Sequence, residues 1–230
     1  LELDEGEKVA AILPITSFDD DGSKTILMVT KYGRVKKTSI SEFKKPLRKG
    51  KRALTINEGD EIISAHILNG DDTVFMISRN GISIRFHETD VRTMGRMAAG
   101  VRGIRLKKND YIVGASVIEK DSEKSILTVT ENGFGKRSAV SDYRIQNRGG
   151  KGIFAIKSSE RNGNIVGSMT VEDDMEVILI ADSGKMIRMK LDNVRVIGRT
   201  TQGVKLINIE EGEKVVAMDI LEADNSEESE

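Results

Sequence analysis

A short apolar run ending on a turn glycine occurs four times along the chain: ILMVTKYG to Gly33, FMISRNG to Gly81, LTVTENG to Gly133 and LIADSG to Gly184. The four glycines stand 48, 52 and 51 residues apart. Each run is β-branched and too short for a helix, so it predicts a strand. Asn-Gly and Ser-Gly at the ends are hairpin chemistry, because the turn needs a positive φ that glycine supplies without strain. A second glycine follows at Gly50, Gly100, Gly152 and Gly203 and opens a further short strand. After an acidic or polar turn, a longer alternating strand begins at Glu61, Tyr111, Asn164 and Lys214, and the segment LDEGEKVAAILPI near the start has the same character.

About four strands per period of roughly 50 residues is the length of one propeller blade. The pattern predicts an all-β, β-propeller-like array with blades near 8–56, 61–107, 111–157 and 164–209 and a leftover strand at 214–222. The fragment at 1–6 reads as the end of an earlier repeat, so the array is expected to lack its first blade or blades. The scarcity of proline (Pro14 and Pro46) suits strands that must all donate ladder hydrogen bonds. Residues 223–230 close the chain as an acidic tail expected to be disordered.

Composition narrows the chemistry. The chain has 230 residues, enough to bury a core as one β domain spanning 1–222. It has no cysteine and only His66 and His87, so disulfides, thiolate metal sites and His-rich metal sites are excluded. Asp19, Asp20 and Asp21, like Asp173 and Asp174, read as turns rather than cation sites, and no metal or cofactor is expected. No apolar stretch approaches the ~18 residues of a membrane span, and Leu1 does not begin a signal peptide. The expected compartment is the cytoplasm, and a start on leucine suggests an excised domain.

Net charge is −1, which hides a segregation. Counted from the four hairpin glycines, the fourth residue is always basic: Lys37, Arg85, Arg137, Arg188. So is the eleventh (Lys44, Arg92, Arg144, Arg195) and the fifteenth (Arg48, Arg96, Arg148, Arg199). With 36 Lys and Arg in 230 residues, roughly two of these twelve positions would be basic by chance. The tenth position is apolar or aromatic in every repeat (Phe43, Val91, Tyr143, Val194) and is expected to anchor the loop carrying the cations. The windows 31–52, 79–108, 136–157 and 185–205 hold 30 of the 36 basic residues and only five acids, Glu42, Glu88, Asp90, Asp142 and Asp192. They also contain Lys36, Lys49, Lys51, Arg52, Arg102, Lys136 and Lys151. In a ring of blades, matching positions share one circumference, so these residues predict a cationic belt.

Such a belt matches duplex DNA, which carries one charge per ~1.7 Å of axis. Binders of single strands supply exposed aromatics for stacking. Tyr32, Phe43, Phe86, Tyr143 and Phe154 mostly occupy repeat positions that read as core. No helix is patterned to enter a major groove, so contacts are expected to phosphates, with any preference arising from how easily the DNA bends. This is a binding role without catalysis.

The units TKYGRVKKT, VRTMGRMAAGVRGIRL, ENGFGKRSAVSDY, SERNG and IGRTTQGVKLI resemble, in content and order, the C-terminal DNA-wrapping domain of the bacterial DNA gyrase A subunit. The resemblance implies a β-pinwheel, a propeller variant whose neighbouring blades exchange strands. It also implies DNA wrapped on the perimeter for negative supercoiling, with the rest of gyrase A and gyrase B as partners. The family's glycine-rich GyrA box is matched at six of seven places by Gln146, Asn147, Arg148, Gly149, Gly150, Lys151 and Gly152, Asn147 being the departure. By unit order the family's box belongs upstream of Leu1, which makes 146–152 a box-like loop of a later blade. Physically, it is either a phosphate-binding loop or a tight connection between blades. The equivalent domain of topoisomerase IV is the nearest alternative. A protein-interaction propeller and a hydrolytic propeller are the readings from other classes.

Overall fold

The computed structural model describes residues 3, 6–18, 24–45, 47 and 50–221. Among the described residues fifteen strands follow one another: β1 (Thr25–Thr30), β2 (Arg34–Ser39), β3 (Ile62–Leu68), β4 (Thr73–Ser78), β5 (Ile82–His87), β6 (Val101–Arg102), β7 (Ile112–Ile118) and β8 (Ser125–Thr130). They continue as β9 (Phe134–Ala139), β10 (Ile153–Phe154), β11 (Ile165–Val171), β12 (Glu176–Ala181), β13 (Met186–Lys190), β14 (Val204–Lys205) and β15 (Val215–Leu221). They form four antiparallel sheets, ordered β3-β1-β2-β6, β10-β5-β4-β7, β11-β8-β9-β14 and β13-β12-β15.

The glycine-ended runs form the hairpins the pattern predicts. Gly33, Gly81, Gly133 and Gly184 sit at φ 77°, 86°, 77° and 84°. Each N–H reaches back to the carbonyl three residues earlier, closing a three-residue loop whose last residue is left-handed. β1, β4 and β8 are buried along their whole length, because each lies in the middle of a sheet covered on both faces. The inner strands β3, β7, β11 and β15 pack in that order, and residues of all four line one open cleft.

Two features depart from the sequence reading, the pairing of the long inner strands and residues 8–16, whereas strand exchange is as the resemblance implied. The strands starting near 61, 111, 164 and 214 close the preceding sheet rather than opening the next one: β3 pairs β1, β7 pairs β4, β11 pairs β8 and β15 pairs β12. The outermost strand of each four-stranded sheet comes from the following repeat, with β6 on β2, β10 on β5 and β14 on β9. Neighbouring blades therefore exchange strands. Residues 8–16, read as a strand by analogy with β3, are assigned none. A strand of that type pairs the first strand of the unit before it, and here Leu13 and Ile15 instead pack half-buried against Ile26, Met28, Ile40 and Leu54. The acidic tail expected over 223–230 lies outside the described residues.

Candidate nucleic-acid interface

The three repeated cation positions do three different things. The fourth position, read from sequence as part of the belt, turns inward wherever another blade follows. Lys37 Nζ lies 2.8 Å from Glu88 Oε2 and 3.3 Å from the Glu88 carbonyl, with both side chains almost wholly buried. Arg85 Nε donates to Thr73 Oγ1 at 2.9 Å, and its Nη1 donates to the Val140 carbonyl at 3.2 Å. Arg137 Nε donates to the Val194 carbonyl at 2.8 Å, and Nη1 pairs with Asp173 at 2.5 Å. The backbone repeats the stitch: the carbonyls of Lys37, Arg85 and Arg137 accept from the N–H groups of Met94, Gln146 and Ile197, each at 2.8 Å. Arg188, on the three-stranded sheet, is exposed and pairs with Glu176.

The belt assignment is therefore corrected for Lys36, Lys37, Lys136 and Arg137, all buried. The second strand of a blade faces its neighbour, and a buried cation must find acceptors there or destabilise the fold. Hydropathy alone places such residues at the surface. The clue to the inward turn was Glu88, one of the few acids inside a basic window.

The eleventh position points to solvent. Lys44, Arg92, Arg144 and Arg195 are all exposed. Each follows a one-turn 3-10 segment, Ile40–Phe43, Glu88–Asp90, Val140–Asp142 or Leu191–Asn193. The residue just before the cation is a buried anchor in three repeats, Val91, Tyr143 and Val194, and Phe43 is half-buried. Tyr143 meets Phe75 edge-on with ring centroids 5.0 Å apart, and burial pushes its hydroxyl up to about 12, so it remains a neutral anchor. Of the aromatics expected in the core, Phe86 is buried, whereas Tyr32 and Phe154 are exposed. Phe154 is exposed because it lies on the outermost strand, β10.

The fifteenth position fastens blades while staying at the rim. Arg96, Arg148 and Arg199 are half-buried. Arg96 Nη1 donates to the Arg52 carbonyl at 3.2 Å, and Nε lies 3.6 Å from Glu42. Arg148 donates to the carbonyls of Asp90 at 2.8 Å and Arg102 at 3.0 Å, and Arg199 donates to that of Phe154. Arg52, Arg102 and Lys151 are exposed beside them, while Lys51 is half-buried with Nζ 3.1 Å from the Glu42 carbonyl. Arg48 and Lys49 lie outside the described residues.

Of the two readings the sequence left open for the loop 146–152, the geometry shows the tight connection: Gly149 N–H donates to Gly103 O at 2.5 Å, and the Gly150 carbonyl accepts from Arg105 N–H at 2.8 Å. The loop also carries Arg148 and the exposed Lys151 on the rim, with Asn147 exposed and Gln146 half-buried. Sequence reasoning missed Arg34, whose guanidinium donates to the carbonyls of Ala99 at 2.9 Å and Gly100 at 2.7 Å.

A family model described as "DNA gyrase C-terminal domain, beta-propeller" matches residues 24–69, 72–119, 124–172 and 176–222. The chain belongs to this family. Each match ends just past an inner strand (β3, β7, β11 or β15), so each unit supplies three strands of one sheet and, from the second unit on, the outermost strand of the sheet before it. The DNA gyrase A protein of Chlamydia muridarum is 44% identical over 218 residues, covering 94% of this chain and 26% of that protein. That of Escherichia coli K12 is 42% identical over 218 residues, covering 95% and 24%. The chain thus spans about a quarter of the length of these curated relatives. Among solved structures, the C-terminal domain of DNA topoisomerase IV superposes with a TM-score of 0.89 at 26% identity, covering 96% of this chain and 68% of that one. A DNA gyrase A C-terminal domain gives 0.81 at 26% identity, covering 95% and 72%.

Proposed function

We propose that this domain binds double-stranded DNA along its perimeter, chiefly through phosphates, and bends it. The observation that carries the reading is the exposed cation at the eleventh position of every blade, with the arginines of the fifteenth position beside it. Lys44, Arg92, Arg144 and Arg195 form the primary track. Arg52, Arg96, Arg102, Arg148, Lys151 and Arg199 flank it. Arg48 and Lys49, outside the described residues, join the proposal by their sequence positions alone. Arginine's planar fork suits phosphate oxygens, and charge-assisted contacts of this kind weaken steeply with salt. Bending 20–30 bp through 40–90° costs on the order of 1–6 kcal/mol, which several such contacts per turn of the array offset.

In the whole enzyme this non-catalytic domain would wrap a DNA segment and present it for strand passage, working with the remainder of gyrase A and with gyrase B to introduce negative supercoils in the cytoplasm. No helix among the described residues is long and apolar enough to cross a membrane. The close superposition on a topoisomerase IV domain favours a second reading, in which this is the C-terminal DNA-binding domain of a topoisomerase IV. The 42–44% identity to gyrase A proteins over nearly the whole chain supports the first.

The deciding experiment replaces the exposed Arg92, Arg144 and Arg195 with Glu and follows duplex binding by gel shift at low salt. Binding is expected to vanish while the far-UV spectrum and melting profile keep their folded character; retained binding overturns the proposal. Per-site affinity is expected to be higher for a duplex of roughly 150 bp than for one of roughly 15 bp, because only the longer can follow the rim.

A further inference from the structure

The three junctions between consecutive blades share one frame and differ in what supports it. At each, a backbone N–H from the earlier repeat (Thr55, Arg105, Lys157) donates to the carbonyl two residues past the rim arginine of the later one (Ala98, Gly150, Thr201), at 3.3, 2.8 and 3.3 Å. At the first and third junctions a lysine three residues past the earlier blade's hairpin glycine rises beneath this loop. Lys36 Nζ lies 2.5 Å from the Ala53 carbonyl and 2.6 Å from the Arg96 carbonyl. Lys136 Nζ lies 3.0 Å from the Gly198 carbonyl and also donates to that of Arg199. Both lysines are wholly buried. At the middle junction the equivalent residue is Ile84, and the loop is held instead by the Gly149 N–H on Gly103, made possible by Gly149 at φ 75°.

Burying an ammonium is costly, and burial lowers the pKa of both lysines, that of Lys136 to about 8. Ile84 demonstrates that the fold accepts an apolar side chain at this place. The charge is therefore retained for what it touches, and in both cases that is the main chain of a rim arginine.

We infer that Lys36 and Lys136 are positioning residues, each fixing from beneath the backbone that presents Arg96 or Arg199 to a phosphate. This rests on the DNA-binding reading above. A buried ammonium cannot reach DNA, so its effect must pass through the arginine it supports. That gives the inference a signature distinct from an ordinary loss of stability.

The experiment measures affinity for a duplex of roughly 150 bp as a function of salt, using the whole chain. Lys136→Met is expected to remain folded, bind about tenfold more weakly, and reduce the slope of log affinity on log salt by about 0.9, the share of one phosphate contact. The double variant Lys136→Met/Arg199→Ala is expected to bind no worse than Arg199→Ala alone, because one residue acts through the other. A folded Lys136→Met with an unchanged slope, or additive effects in the double variant, overturns the inference. Should Lys136→Met fail to fold, Lys36→Met with Arg96→Ala poses the same question at the first junction. If the unaltered chain binds no duplex, the DNA-binding reading falls; if it binds and the slopes do not move, only the positioning role falls.

Discussion

Arg137 and Arg188 occupy the same place in neighbouring blades, yet they have opposite fates. Arg137 is 4% exposed and threaded between two blades, whereas Arg188, on the three-stranded sheet, is 62% exposed. Gly152 and Gly50 make the same contrast among the second glycines. A Cβ on Gly152 would collide with the Ser83 carbonyl of the blade it enters, and one on Gly50 would meet nothing within 4 Å. Both glycines have φ of 72°, so their own conformations are alike. In this array a residue's role is decided by the blade beside it as much as by its own repeat.

The contrast can be broken most forcefully at the glycines. Gly152→Ala is expected to cost about 3 kcal/mol or more, combining left-handed strain with a backbone clash, against about 1 kcal/mol for Gly50→Ala, which carries the strain alone. Chemical denaturation of the two variants checks the difference. Next come the inward cations. Lys37→Met leaves the Glu88 carboxylate buried without its partner and is expected to cost about 3 kcal/mol. Arg137→Met loses its bond to the Val194 carbonyl, while the ion pair counts for little because Asp173 is 83% exposed, so about 2 kcal/mol is expected. Arg188→Met should stay within about 0.5 kcal/mol.

A pH series sharpens the same division. Burial lowers the pKa of Lys136 to about 8, with Arg199 adding to the fall and Asp142 opposing it. Between about pH 8 and the unfolded value of 10.5, the unfolded chain holds a proton that the folded one has released. Stability contributed by this group therefore rises with pH across that window, and Lys136→Met is expected to flatten the rise. The smallest expected effect is at the outward position. Arg144→Ala should leave stability unchanged and lower the salt slope of DNA binding by about 0.9.

The period, the hairpins and the loop anchors were legible because each rests on local chemistry. A glycine able to take φ near 80° ends each hairpin, and an apolar residue ten positions later is buried at Val91, Tyr143 and Val194. Strand exchange was not legible from the pattern itself, since β6, β10 and β14 are two residues each and carry no periodicity. It entered only through the family resemblance. The inward turn of Lys36, Lys37, Lys136 and Arg137 was hidden for a related reason: their acceptors are mostly carbonyls of the next repeat, which no reading of side chains along the chain can locate. The outward cations were read in the right place because exposure is the default for Lys and Arg.

Exchange of the outermost strands has a mechanical consequence. On the proposed reading, a stiff duplex bent by this domain would tend to straighten, and its pull would fall first on the segments carrying the cations. Val101–Arg102, Ile153–Phe154 and Val204–Lys205 are each hydrogen-bonded into one blade while their chain continues into the next. A load applied at one blade is thereby divided with its neighbour, so peeling a single blade from the stack requires parting two. The array bears tension as a laced belt does, through its crossings.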